Sequence, residues 1–230
     1  STAGGGGIMN VQPFLFRTLD GMMGIAHNGN IVNANLLKKE LEENGSIFNS
    51  TSDTEVLGHL IKRETGRFVD RICKSLEKID GAFAFVILVE DALYVARDRY
   101  GLRPLSMGRL PSGGYMFSSE TCALDIAGAE YVRDVEPGEI IRVKDGIIKS
   151  KKYTETLPIC NKLCAMEYIY FSRPDSNLDG INVHTARKTC GKTLFEEAPI
   201  EADLVIGVPD SSISAAIGYS EASGIPYEMG

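Results

Sequence analysis

The chain has 230 residues, 43% of them hydrophobic, and 24 Lys and Arg against 31 Asp and Glu give a net charge of −7. Such a balance supplies enough apolar material for a core and argues against nucleic acid as a partner, which needs clustered basic residues; the short run 149–152 reads as solvated surface. No apolar stretch approaches the roughly 20 residues of a bilayer-spanning helix, no leader is visible, and five cysteines, an odd number, suit a reducing compartment, so a cytoplasmic protein without a membrane partner is expected.

The first residues, Ser1-Thr2-Ala3 and four glycines, and the last, Tyr227-Glu228-Met229-Gly230, read as internal sequence, so a piece of a longer protein is expected. In chain order, 24–27 reads as the end of a strand, with Asn28-Gly29 in the turn after it. A helix is predicted over 33–44, with Asn33 as N-cap, apolar Leu36, Leu37 and Leu41, and Asn44-Gly45 as the stop. Ser52 or Asp53 caps a second helix carrying Val56, Leu57, Leu60 and Ile61, and 68–79 forms a third with Ile72, Leu76 and Ile79 on one face. Strands follow: 82–89 and 92–96 around Glu90-Asp91, then 115–119, then 139–143 and 146–149 as a second hairpin. The register changes near Pro158. Beyond it come a helix over 183–197, a buried strand over 202–209, the turn Asp210-Ser211-Ser212, and a helix over 213–222.

Three clusters carry chemistry. Asn28-Gly29 offers a side-chain amide and a backbone N–H suited to an oxyanion in acyl transfer. Asp53, in Ser52-Asp53-Thr54-Glu55, offers a carboxylate for the ammonium of an amino acid. The Asp210-Ser211-Ser212 turn, at the carboxyl end of a strand and the start of a helix, is a place where phosphates bind in open α/β sheets. Other residues have plainer readings. Asp98 and Arg103 read as a buried ion pair bracing a turn at Gly101, Arg173 and Asp175 as interface anchors, and Arg187 and Lys188 either as phosphate contacts or as a solvated helix face. His27 reads as a loop-positioning residue, His59 and His184 as surface or packing residues, and Cys73, Cys122 and Cys190 as small packing residues. Ser1 invites comparison with N-terminal nucleophiles.

The opening 1–4, the runs 27–30, 52–55 and 97–105, and Ser118-Ser119-Glu120 resemble class II glutamine amidotransferase domains. The runs 132–139, 164–176 and 208–212 narrow the resemblance to the amidophosphoribosyltransferase family, over essentially the whole chain. The implied fold is α/β: an αββα sandwich of the N-terminal-nucleophile type (α+β) over 1–157, then a bridge and the start of a type I phosphoribosyltransferase domain over 158–230. The resemblance implies a glutamine-dependent glycosyltransferase that forms 5-phosphoribosylamine from phosphoribosyl pyrophosphate at the head of purine synthesis. It also implies purine nucleotides as inhibitors and a homo-oligomer. Asn28 and Gly29 would form the oxyanion hole, Asp53 would bind the glutamine ammonium, and Ser211 would meet Mg²⁺ at the diphosphate. Cys164 would be one ligand of a [4Fe–4S] cluster whose other ligands follow Gly230, against the alternative of a buried thiol. The nucleophilic cysteine would precede Ser1, which then lies within a loop, and the fragment alone would be inactive. Two other readings are a glutaminase attached to a different acceptor domain, which the run after Pro158 disfavours, and a non-catalytic nucleotide sensor, which lacks a basic recognition helix.

Overall fold

The structure, a computed structural model, describes residues 5, 7–19 and 21–230. The run 1–4, and with it the Ser1 reading, lies outside the described residues. The chain divides into two compact units, Ser1–Ser119 with Val132–Leu163, and Glu120–Tyr131 with Cys164–Gly230.

The first unit is built on a six-stranded antiparallel sheet: β1 (Phe14–Thr18), β2 (Gly21–Ile31), β3 (Gly81–Val89), β4 (Ala92–Arg97), β8 (Glu139–Lys144) and β9 (Ile147–Lys152), in that spatial order. Period-two alternation sends Met23, Ile25 and Ile31 of β2 and Phe83, Phe85 and Ile87 of β3 to one face. There they meet the apolar stripes of α1 (Ala34–Glu43), α2 (Thr54–Arg63) and α3 (Phe68–Glu77), whose Leu37, Leu41, Leu57, Ile61, Ile72 and Leu76 complete one core. The other face carries Ala84, Val95 and Ile141, which pack with Leu105, Met107 and Val135. Met107 lies on β5 (Ser106–Arg109), the middle strand of a three-stranded sheet between β6 (Tyr115–Ser118) and β7 (Glu130–Asp134). This mixed α/β layering is the fold class expected.

Two sequence readings change here. The 27–30 run is not a turn after a strand: it lies inside β2, with Asn28 opposite Ala84 and Gly29 opposite Phe83. Gly29 is required for closeness rather than for turning, because a Cβ there would stand 2.0 Å from the Ala82 carbonyl oxygen. Asn33 does precede α1, but its side chain does not cap the helix. Its Nδ2 donates to the Lys78 carbonyl (2.9 Å) and its Oδ1 accepts the Asp80 N–H (3.0 Å), joining the start of α1 to the α3–β3 connection.

The second unit contains α4 (Thr121–Ile126), a π-helical turn over Glu167–Phe171, the short ribbon β10 (Asn177–Leu178) and β11 (Ile181–Asn182), α5 (Val183–Glu197) and α6 (Ile213–Ser223). Close packing of α5 on α6 needs two glycines: a Cβ at Gly191 would meet the Ala215 carbonyl oxygen at 1.9 Å, and one at Gly218 the Lys188 carbonyl oxygen at 2.0 Å. The strand expected over 202–209 contracts to β12 (Val205–Ile206), parallel to β13 (Tyr227–Glu228). It is not buried: with β13 alone beside it among the described residues, Leu204, Ile206 and Val208 stay exposed.

Candidate active site

The hydrogen-bond alternation of β2 creates the first half of the site. The Phe83 carbonyl accepts the Asp98 N–H (2.9 Å), and the Phe83 N–H donates to Asp98 Oδ2 (3.2 Å). Both backbone groups of Phe83 therefore point to the β4 side. Its partner Gly29 belongs to a non-hydrogen-bonded pair and directs its own N–H the other way, to the sheet edge beyond the start of β1. On that same edge the His27 N–H donates to Gln12 Oε1 (2.5 Å) and the Ile31 N–H donates to Asp53 Oδ2 (2.7 Å). The Gly29 donor thus stands between two occupied ones, as an oxyanion site requires.

Asn28 projects to the opposite face of the strand from His27 and is half-buried. Its Nδ2 donates to Ser119 Oγ (3.0 Å), at the end of β6. An amide with one hydrogen fixed in this way keeps the second available in a set direction.

Asp53 occupies the N-cap position of α2, as expected, but makes no capping bond with its side chain. The carboxylate turns to β2 instead. Besides Ile31, its Oδ1 lies 3.5 Å from Thr54 Oγ1 and 3.7 Å from His27 Nδ1, with only 7% of the side chain exposed. Burial works to raise its pKa, yet the His27 contact and the Ile31 and Thr54 hydrogen bonds outweigh it and hold the carboxyl below its ordinary value. It is therefore held as an anion at neutral pH. A cleft of about 510 Å³ opens beside it, with polar walls from Asn30, Asn35, Lys38, Thr51 and Ser52.

The neighbouring Glu55 fixes the loop that leads to Asp53: it accepts the Asn49 and Ser50 N–H groups (2.9 and 2.8 Å) and the Ser50 hydroxyl (2.6 Å). His59, one turn on, packs on Phe48 with ring centroids 4.4 Å apart, as a packing residue should. The Gly101 turn is braced from both Arg97 and Asp98. Asp98 accepts the N–H groups of Tyr100 and Leu102 (2.9 and 3.1 Å), while the fully buried Arg97 donates to the carbonyls of Gly101, Arg103 and Val135 (2.7–2.8 Å).

In the second unit, Ser211 is half-buried just before α6, on a cleft of about 660 Å³ shared with Asp210, Arg173 and His184. His184 Nδ1 lies 2.9 Å from Ser214 Oγ. Arg187 is not a solvated residue: it is buried and donates to the Tyr168 and Ser172 carbonyls (2.5 and 2.7 Å), clamping the π-helical turn. Lys188 pairs with Glu221 (2.5 Å), and Arg173 with Asp175 (2.9 Å). Cys164 is half-buried, and its carbonyl accepts the Glu167 N–H (3.0 Å). Among the described residues no three His, Cys, Asp or Glu side chains gather to hold a metal ion, so Cys164 lacks the partner thiolates of a complete cluster site there. No helix is long and apolar enough to cross a membrane among those residues.

Sequence reasoning singles out Asn28, Gly29 and Asp53, which the structure gathers at β2, but misses Gln12, Thr54 and the role of Ser119. Thr54 and Ser119 stand in runs already singled out, 52–55 and 118–120, without the roles they take here; Gln12 carries no local signal.

A family model described as a glutamine amidotransferase domain matches residues 8–125. The chain belongs to the glutamine amidotransferase family. Curated relatives include amidophosphoribosyltransferase of Bacillus subtilis (strain 168), 58% identical over all of this chain and 48% of the relative, and that of Staphylococcus aureus (strain N315), 50% identical over all of this chain and 46% of the relative. Among solved structures, glutamine phosphoribosylpyrophosphate amidotransferase from B. subtilis complexed with ADP and GMP matches with a TM-score of 0.93 and 56% identity, over 97% of this chain and 49% of that one. A structure described as the allosteric regulatory enzyme of purine biosynthesis matches at 0.93 and 57%, over 100% and 49%. The chain spans about half the length of these relatives.

Proposed function

We propose that this chain serves an amidophosphoribosyltransferase. Glutamine is hydrolysed at the Gly29 edge of β2, and the ammonia displaces diphosphate from phosphoribosyl pyrophosphate to give 5-phosphoribosylamine, the first step of purine synthesis. The observation that carries this reading is the 58% identity to such an enzyme over both units, not over 8–125 alone.

In this reading Asp53 receives the α-ammonium of glutamine, and the substrate lies along the cleft beside it. A cysteine thiolate preceding Ser1 attacks the side-chain amide carbon. The carbonyl oxygen becomes an oxyanion held by the Gly29 N–H and the Asn28 amide, the C–N bond breaks with protonation of the leaving ammonia, and water then hydrolyses the thioester to glutamate. Removing one oxyanion donor costs about 10²–10³ in rate.

Mg²⁺, if brought by the diphosphate of the second substrate, would neutralise the charge of that leaving group. Ser211 would hold it there through its hydroxyl oxygen, a donor that suits a hard cation. Cys164 would be one thiolate ligand of a [4Fe–4S] cluster. Iron and sulfide content of the full-length protein, with and without Cys164→Ser, tests it. Purine nucleotides as feedback inhibitors, a homo-oligomeric state and a cytoplasmic location belong to the same reading.

The deciding experiment measures phosphoribosylamine formation by the full-length protein with glutamine and with ammonium chloride as nitrogen source. Activity with both supports the reading. Glutamine hydrolysis without any product from phosphoribosyl pyrophosphate overturns it.

A further inference from the structure

His27 lies on the helix-facing side of β2, and its ring is stacked on that of Phe85, its cross-strand partner, with centroids 4.3 Å apart and an interplanar angle of 25°. Only 2% of the side chain is exposed. Nδ1 lies 3.0 Å from Thr54 Oγ1 and 3.7 Å from Asp53 Oδ1. Nε2 is buried with no hydrogen-bond partner, and it lies under Gly29, where an added Cβ would stand 2.8 Å away.

A ring kept only to fill this space would be better as phenyl. It would stack on Phe85 equally well and would leave no buried nitrogen unpaired, an arrangement that is costly in a core. The polar ring therefore has work at its other nitrogen. Asp53, as an anion, can only accept hydrogen bonds. The Thr54 hydroxyl then donates to Asp53 Oδ1 and accepts from His27, which fixes the Nδ1–H tautomer and places the Nε2 lone pair beneath Gly29.

We infer that His27 is a positioning residue that locks the Asp53 carboxylate to β2, so that the ammonium site and the Gly29 oxyanion donor hold one fixed separation. Oδ2 is tied to the strand through the Ile31 N–H, and Oδ1 is tied through Thr54 and His27. Residues 27, 29 and 31 share one edge of one strand, so the carboxylate is clamped on both sides of the catalytic N–H. The substrate's ammonium and its reacting carbonyl are then measured against the same backbone segment. This inference rests on the glutaminase reading above.

The test uses the full-length protein with His27→Phe, which keeps the stack, and His27→Asn, whose amide overlays Nδ1. His27→Phe is expected to raise the KM for glutamine about tenfold with ammonia-dependent synthesis unchanged, and His27→Asn to recover most of the loss. Nitrogen-15 spectra of histidine-labelled wild type should show the Nδ1–H tautomer at His27, perturbed by L-glutamine. An unchanged KM in His27→Phe, an Asn variant no better than the Phe variant, or an Nε2–H tautomer overturns the inference. If His27→Phe does not fold, His27→Gln, whose amide reaches the Nε2 position, replaces it, and equal KM values for the Asn and Gln variants overturn the inference. A wild type that neither binds nor hydrolyses glutamine sinks the glutaminase reading itself, whereas a working wild type with an indifferent His27→Phe sinks only the role of His27.

Discussion

Asp53 Oδ2 accepts the Ile31 backbone N–H at 2.7 Å, two residues along β2 from the outward-facing N–H of Gly29. A carboxylate from the start of α2 thus sits on the same strand edge as the Gly29 N–H, and the distance between the two is set by one strand repeat rather than by a loop.

Replacing Asp53 with Asn removes the charge and keeps the shape. A charged hydrogen bond contributes about 1.5–3 kcal/mol, so the KM for glutamine should rise about tenfold to a hundredfold. Synthesis from ammonia in the full-length protein should be unaffected. Steady-state assays with the two nitrogen sources check this, and equal loss of both activities would refute the assignment.

Gly29→Ala places a methyl group 2.0 Å from the Ala82 carbonyl oxygen, backbone that cannot give way without moving β3. The variant should lose about 1–3 kcal/mol of stability and most of its glutaminase activity. Urea unfolding and glutamate release measure the two effects separately. A variant with wild-type stability would mean that the strands are not this close.

Asn28→Ala removes a donor outright and should lower the glutaminase kcat about 10²–10³-fold. Ser119→Ala leaves the amide present but frees its orientation, so a loss of only about threefold to tenfold is expected. A Ser119 variant as impaired as the Asn28 variant would assign the hydroxyl a direct role.

Acid stability has a definite sign. For Asp53, Glu55 and Glu139 burial works to raise the pKa, but hydrogen bonds outweigh it and hold all three below their ordinary values. Ser50 and Asn49 supply them at Glu55, and Arg133 with the Glu136 N–H at Glu139. Each group binds its proton less readily folded than unfolded. Its stabilising contribution is therefore present above the ordinary carboxylate value and is lost as pH falls through the folded value. His59, lowered chiefly by burial, adds the same sign as pH falls below its ordinary 6.5. Stability should decline from pH 7, first through His59 and then, below about pH 4.5, through the carboxylates, and Glu139→Gln should flatten that lower part of the curve. Urea midpoints across the range check it, and a variant parallel to wild type would refute it.

Much of the fold was legible. Leu37 and Leu41 of α1, Leu57 and Ile61 of α2, and Ile72 and Leu76 of α3 recur at helical spacing because each helix buries one face. The hairpin around Glu90-Asp91 was legible because both its strands are apolar runs of strand length. The 27–30 run was misread as a turn because Asn-Gly is a turn signal locally, and the close approach of Ala82 that demands Gly29 comes from a residue more than fifty positions away. The strand over 202–209 was overextended because an apolar run reports how a segment is suited to burial, not which neighbours cover it.

By itself the sequence determined most of the element types, since these follow from periodicity and composition within short windows. Only the tertiary structure decided what the residues of the site do to one another. It turned Asp53 from a helix cap into a clamp on Ile31, directed the Gly29 N–H outward by giving both Phe83 backbone groups to Asp98, and made Arg187 a buried clamp instead of a solvated cation. The physical reason is that hydrogen-bond partners are chosen by strand register and burial, and those join residues that lie tens of positions apart in the chain.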